Sequence, residues 1–302
     1  MARRKKGNDV NGILLLDKPL GRSSNSALQK VRYLFNAKKA GHTGSLDPLA
    51  SGVLPICFGE ASKVTSFLLD SNKSYICTAQ LGQTTTTGDK EGEILQERDI
   101  PTFTTESLEE ILDQFRGDIK QVPPMYSALK HNGQPLYKLA RQGIEIKRDE
   151  RAVTIFELEL LEHTSDSITL NIRCSKGTYI RTLAQDIGEA LNCGAHLSML
   201  RRTEVEPFDC STLYTIEELE ELHNSKTIES TLLSIDSALP NSPSLTLTDE
   251  EVKRIQTGLK VSRRDIPNSE IIRLYSSSNQ FIGIGRLSSD QQLAAKRLMR
   301  TN

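Results

Sequence analysis

The sequence predicts an α+β protein in which a small β-rich domain follows a larger first one. Three observations carry that prediction. Segments 73–82, 153–161 and 168–174 alternate apolar and polar residues, as half-buried antiparallel strands do. Leu108, Ile111, Leu112 and Phe115 recur at helical spacing, as do Ile180, Leu183, Ala184, Ile187 and Leu191. The string Leu239-Pro240-Asn241-Ser242-Pro243-Ser244 reads as a linker, and short strand segments dominate after it.

The chain has 302 residues, 37% hydrophobic and 25% charged, enough for one large and one small globular domain. No apolar run approaches the ~18 residues of a membrane span. The basic start, Arg3-Arg4-Lys5-Lys6, precedes polar residues instead of a signal-type apolar region, so a flexible arm on a cytoplasmic protein is expected. Net charge is −1, so any nucleic-acid contact must come from local clusters. Five cysteines without C-x-x-C spacing suggest reduced, mostly buried thiols. The five histidines form no ligand pattern, so no metal is expected.

In chain order, Ile13-Leu14-Leu15-Leu16 is a short buried strand ending at Asp17-Lys18-Pro19. Ser23, Ser24 and Asn25 offer caps for a helix whose face is Ala27, Val31, Leu34 and Phe35. Lys30, Arg32, Lys38 and Lys39 are either a solvated face or phosphate contacts. The string Gly41-His42-Thr43-Gly44-Ser45-Leu46-Asp47-Pro48-Leu49-Ala50-Ser51-Gly52-Val53-Leu54-Pro55 reads as an ordered loop, with Pro48 holding Asp47 in extended geometry. Residues 60–69 read as a helix, and 84–89 as a polar turn. The helix around Leu108 is expected to stop at Gly117. The diproline stretch 121–130 is extended, and Leu136-Tyr137-Lys138-Leu139-Ala140 is a short helix. Lys130, His131 and Arg141 are candidate phosphate contacts. At Ser175-Lys176-Gly177-Thr178-Tyr179-Ile180-Arg181 a strand ends and a helix begins. An arginine at that end is unfavourable unless a carboxylate is close. Past the linker, 245–247, 271–275 and 281–285 are expected strands and 249–256 a helix. Gly283-Ile284-Gly285 lacks a third glycine and a following helix, which removes a dinucleotide site.

The 41–55 string resembles the active-site loop of the TruB family of bacterial tRNA pseudouridine synthases, with Ser45 where threonine is usual. The resemblance continues at Lys18-Pro19, at Lys73-Ser74-Tyr75 and at Gln121-Val122-Pro123-Pro124-Met125-Tyr126-Ser127-Ala128-Leu129-Lys130. It also covers Leu136-Tyr137 through Gly143, Ser175 through Thr182, and Leu200-Arg201-Arg202. It implies a pseudouridine synthase fold, a mixed and largely antiparallel sheet with flanking helices, and a PUA-like module behind it. The implied division is an arm at 1–10, a catalytic domain at 11–238, a linker at 239–244 and an RNA-binding domain at 245–302.

The implied reaction converts uridine to pseudouridine at position 55 in the T-loop of tRNA. Asp47 is the nucleophile, paired with Arg181. Tyr75 packs on the base and is a candidate for proton transfer. His42 takes the place the base leaves, Leu200 lines the pocket and Lys18 supports the loop. Tyr75 and Tyr179 are the aromatic candidates for stacking. The isomerisation neither gains nor loses a group, so no cofactor is expected. The expected partner is the tRNA T-stem-loop, bound by a monomer. Two other readings use the same residues: an RNA-binding protein with a tRNA-folding role, and a synthase acting on another RNA. Intact Asp47, Tyr75 and Arg181 speak against the first as sole function, and the absence of lysine-rich tails against guide-RNA relatives of the second.

Overall fold

The computed structural model describes residues 7–263 and 268–300, so Met1 to Lys6 of the expected arm lie outside the described residues. The chain opens with β1 (Gly12–Lys18), α1 (Ser24–Leu34), β2 (Ala40–His42) and β3 (Ala50–Phe58). A short 3₁₀ turn at Gly59–Lys63 leads to α2 (Thr65–Asp70) and β4 (Lys73–Leu81). Next come the hairpin β5 (Gln83–Thr85) and β6 (Ile94–Glu97), then α3 (Thr105–Asp113) and β7 (Gly117–Gln121). A second hairpin, β8 (Lys130–His131) and β9 (Gln134–Pro135), precedes α4 (Leu136–Ala140). The first half of the architecture closes with β10 (Arg151–His163), β11 (Ser167–Cys174), α5 (Ile180–Ala190), β12 (Ala195–Val205) and α6 (Ile216–Asn224). The C-terminal part holds β13 (Ser244–Thr246), α7 (Asp249–Gln256), β14 (Val261–Ser262), β15 (Ser269–Tyr275), β16 (Phe281–Leu287) and β17 (Gln292–Leu298).

An eight-stranded sheet runs β1-β3-β12-β4-β11-β10-β7, with β2 also paired to β3. All its pairs are antiparallel except β12 with β3. The mixed, largely antiparallel sheet is therefore as expected. The run Ile13-Leu14-Leu15-Leu16 is apolar at every position because β1 is covered on both faces. Leu14 and Leu16 join Ala27, Val31, Leu54, Ile56 and Leu219 in one core, beneath α1 and α6. Ile13 and Leu15 point the other way, into a core with Val53, Cys57, Leu68 and two residues of the C-terminal part, Ile284 on β16 and Met299 just past β17. The middle of the sheet packs Cys77, Ala79, Leu170, Ile172 and Leu197 against Leu183 and Ile187 of α5.

The C-terminal strands form a separate five-stranded sheet, β13-β15-β16-β17-β14, with its own core of Leu245, Leu247, Ile255, Ile272, Leu274 and Leu293. It is fastened to the first sheet by more than the shared core. Lys63 Nζ donates to the Leu298 carbonyl at 2.5 Å, and the Arg300 amide donates to Glu60 Oε2 at 2.7 Å. The 239–244 segment is tied down at both ends: Leu239 is buried and Ser244 opens β13.

Several local expectations are corrected. The ends of the 41–55 string are strand, and the loop proper is only 43–49. Residues 60–69 split into a 3₁₀ turn and a short helix. The turn at 84–89 begins inside the β5–β6 hairpin. The helix around Leu108 ends at the Gln114 cap, and Gly117 (φ +78°) opens β7. Segment 195–205 is a central strand that alternation does not reveal. Register shifts at Leu197/Met199 and Arg202/Glu204 break its period.

Candidate active site

The site grows from a fork in the sheet. Along one edge, β3 pairs first with β12, where Ala50, Ser51 and Gly52 face Leu200, Arg201 and Arg202. Further along the same edge it pairs with β2, where Ile56 faces His42. Between the two partners the Val53 and Pro55 carbonyls point into the gap. Thr43 donates its amide to Pro55 O at 3.2 Å, and Arg202 donates Nε–H to Val53 O at 2.7 Å. Gly52 (φ +100°) sits where a Cβ would meet the Arg202 carbonyl at 2.1 Å, so no larger residue lets β12 approach.

The loop that leaves the fork is pinned from three sides. Buried Ser24, in the first turn of α1, donates Oγ–H to Leu46 O at 3.0 Å and accepts from Leu46 N at 2.7 Å. The Gly21 amide donates to Pro48 O at 2.8 Å, and the Ala50 amide to Asp47 O at 3.0 Å. Lys18 has no exposed surface. Its ammonium donates to Pro19 O at 2.8 Å and Arg22 O at 2.5 Å, tying the turn on which Gly21 sits. Burial pushes the Lys18 pKa down to about 8, against the attraction of Asp47 and Glu91.

Asp47 then faces α5. Arg181 Nη2 lies 3.0 Å from Asp47 Oδ2, while the Asp47 side chain keeps 41% exposure. Arg181 itself is buried. Its Nη1 lies 3.7 Å from Asp89 Oδ2 and donates to Thr87 O at 2.8 Å, and its Nη2 also donates to Tyr126 O at 2.7 Å. Two carboxylates thus answer a cation at the wrong end of a helix dipole. Burial raises the Asp47 pKa, Arg181 pulls it back down, and Asp89 adds to the rise. The result is an oriented carboxylate with one oxygen bound and one face open.

The other expected residues gather here. Tyr75 on β4 faces Arg202 across the strand pair and packs against the core that holds Leu46, Ala50 and Leu200. Leu200 is buried opposite Ala50. Tyr179 caps α5, its amide donating to Gln121 Oε1 at 3.1 Å, so the diproline stretch holds it from behind. Burial raises the phenol pKa of both tyrosines. His42 is half-buried at the end of β2. Burial, then Arg202, lower its pKa, so the ring is neutral, with Nδ1 buried and without a partner among the described residues.

Basic residues of the first helix and of the segment after it are engaged within the protein. Lys30 pairs with Glu220, Lys38 with Asp9 at 2.6 Å, and Lys39 donates to Ser62 Oγ at 2.6 Å. Lys130, His131 and Arg141 are exposed. Sequence reasoning missed Asp89, which sits in a polar turn that looked like surface. It also gave Arg202 no role of its own. Among the described residues no cluster of His, Cys, Asp or Glu could hold a metal ion, and no helix is long and apolar enough to cross a membrane. Four of the five cysteines are buried, and all are free.

Comparison with known proteins gives one family along the chain. The description "TruB family pseudouridylate synthase (N terminal domain)" matches residues 32–180. "tRNA pseudouridylate synthase B C-terminal domain" matches 181–240, and "Pseudouridine synthase II TruB, C-terminal" matches 243–299. The chain is 52% identical over 296 residues to tRNA pseudouridine synthase B of Pseudomonas fluorescens, covering 97% of each. It is 48% identical over 309 residues to that of Shewanella pealeana, covering 99% of this chain and 98% of the other. Among solved structures, a Cbf5-Nop10-Gar1 complex aligns at a TM-score of 0.72 and 24% identity, over 96% of this chain and 84% of that one. An H/ACA RNP bound to a substrate RNA containing 2'-deoxyuridine aligns at 0.73 and 20% identity, over 100% and 92%. At those identities the two structures speak for the fold.

Proposed function

Since the chain belongs to the TruB family of pseudouridylate synthases, we propose that it isomerises uridine to pseudouridine at position 55 in the T-loop of tRNA, with Asp47 as nucleophile. The observation that carries this is the Asp47 carboxylate held at 3.0 Å by buried Arg181 while remaining open on one side. The base must leave its stack, at a cost of a few kcal/mol. Tyr75 and Tyr179 offer it a platform, and the neutral ring of His42 can fill the place it vacates. Asp47 adds to the base or to the ribose carbon, the N-glycosidic bond breaks, the uracil turns, C5 bonds to the ribose, and the bond to Asp47 breaks to return the free carboxylate. The C5 proton leaves and N1 gains one, so atoms and electrons balance without a cofactor. Burial raises the Asp47 pKa, and Arg181 opposes that rise in favour of the carboxylate. The enzyme works as a monomer in the cytoplasm, with 11–238 as catalytic unit and 245–302 as an RNA-binding one.

The test is tritium release from C5-labelled uridine in tRNA, with filter binding alongside. Wild type is expected to release tritium from tRNA and from an isolated T-stem-loop, and much less from an unstructured strand, because shape and splayed bases dominate RNA recognition. Equal release from folded and unstructured RNA would remove the T-loop reading. Binding of tRNA without release would favour a tRNA-folding role instead.

A further inference from the structure

We propose that Arg202 is a positioning residue for the reaction: its guanidinium fills the fork between β2 and β12 and fixes the Asp47 loop to Tyr75, so that nucleophile and aromatic platform share one geometry. This rests on the reading of Asp47 as nucleophile.

Arg202 is 2% exposed, and it tops the ranking of fully buried side chains by size. Among the described residues no carboxylate reaches it. Arg181 has two, and the neighbouring Arg201 has Asp17 at 2.8 Å. A buried cation without a counter-ion is costly, and a sheet needing only a filler would be better served by an apolar chain. Arg202 instead joins three separate pieces of the site. Nε–H goes to Val53 O at 2.7 Å and Nη2 to Gly44 O at 3.3 Å, and Tyr75 stands directly opposite it on β4. Val53 belongs to the scaffold, Gly44 to the loop and Tyr75 to the platform. A planar fork of donors can hold both carbonyls while standing opposite Tyr75, and an ammonium on a flexible stem cannot.

The local backbone is shaped around this residue. Arg202 stands directly opposite both Gly52 and Tyr75, at the bulge before Glu204, where a strand can re-aim a side chain. Gly44 (φ +97°) leaves its space open toward Arg202 Nη1, which a Cβ there would meet at 3.7 Å. Pro55 offers no amide to the gap, and Thr43 takes its carbonyl, so the Val53 carbonyl is left for the guanidinium. Loss of the fork would leave carbonyls unpaired and free the loop by a fraction of an ångström. A misplacement of ~1 Å at a reacting group costs about 100-fold in rate.

The experiment measures single-turnover tritium release at saturating enzyme, tRNA affinity by filter binding, and thermal unfolding. It compares Arg202→Met, Arg202→Lys, Tyr75→Phe and the Arg202→Met/Tyr75→Phe double variant. Arg202→Met is expected to slow the single-turnover rate about 100-fold while tRNA affinity stays within about threefold. Arg202→Lys keeps the charge and is expected to recover less than about a tenth of the rate. In the Tyr75→Phe background the loss from Arg202→Met should shrink to under about tenfold, since coupled residues are not additive. A near-normal rate for Arg202→Met, or equal losses in both backgrounds, would overturn the proposal. If Arg202→Met fails to unfold cooperatively, Arg202→Lys decides: a full rate would mean that buried charge alone suffices. An inactive wild type would instead bring down the reading of Asp47 on which this stands.

Discussion

The two sheets treat charge in opposite ways. Around the fork of the eight-stranded sheet, Lys18, Lys73, Asp89, Arg181 and Arg202 are all buried. In the five-stranded C-terminal sheet the core is apolar throughout, and ion pairs such as Lys296–Glu270 at 3.7 Å lie outside it. Among the described residues, none of the buried charged side chains lies beyond Arg202. Burying a charge costs several kcal/mol unless it is paired and hydrogen-bonded. The C-terminal sheet is therefore arranged as stability alone would arrange it. The fork retains groups that stability alone would replace, and Asp47, the proposed nucleophile, stands among them.

Asp47→Asn is the strongest way to break the comparison. It keeps shape and removes the charge, and tritium release should fall by roughly four orders of magnitude or more. Filter binding of tRNA should stay within about threefold, because RNA affinity rests mainly on phosphate and shape contacts and not on a single carboxylate. Near-normal release would take the nucleophile role from Asp47.

Next in size is Arg181→Met. With Asp47 and Asp89 both left without their cation, turnover should drop about 100- to 1000-fold. Burial and Asp89 would then raise the Asp47 pKa against Lys18 alone, so the acid limb of the pH–rate profile should move to higher pH. Stability should fall by roughly 3–5 kcal/mol for the buried partner, less for half-open Asp47. An unshifted acid limb would mean that Asp47 is not the titrating group.

Lys18 sharpens the comparison through pH. Its folded pKa, about 8, lies below the ordinary 10.5. Between those values the unfolded chain holds a proton that the folded chain has lost, so this residue's contribution to stability rises with pH there. The difference in unfolding free energy between wild type and Lys18→Met should therefore grow by roughly 3 kcal/mol in favour of wild type from below pH 8 to above pH 10.5. Denaturant titrations across that range check it, and a flat difference would contradict the buried charge.

The smallest effect on chemistry is expected from Ile284→Ala. Ile284 has no exposed surface and shares a core with Ile13, Leu15, Val53 and Cys57. Its truncation should cost roughly 2–5 kcal/mol of stability, read as a lower denaturant midpoint. The single-turnover rate should stay within about twofold, because no charged group of the fork moves. A rate loss as large as that of Arg202→Met would show that the C-terminal sheet tunes the fork directly. The same shared core implies that removing everything after Pro243 would unseat β1 and β3.

Much of this was legible from residues alone. Helical spacing placed α1, α3 and α5, because each buries one stripe. The Ser23 side chain satisfies a first-turn amide of α1, as Thr248 does for α7. Alternation located β4, β10 and β11, since each has one face in the core. The 41–55 string and the Arg181 segment stood out as unusual backbone and as a misplaced charge, both local facts.

What only the tertiary structure decided is which distant pieces meet. Asp89 lies on a turn that docks on β12 and becomes the second carboxylate of Arg181. β12 itself was hidden because its bulges break the period of two. Arg202 reads in the sequence as an ordinary second arginine beside Arg201. It becomes a buried fork only because β12 and β2 divide one edge of β3 between them. Periodicity and capping are short-range and survive in the sequence. The desolvation of a charge depends on every element packed around it, and that is known only once the chain has folded.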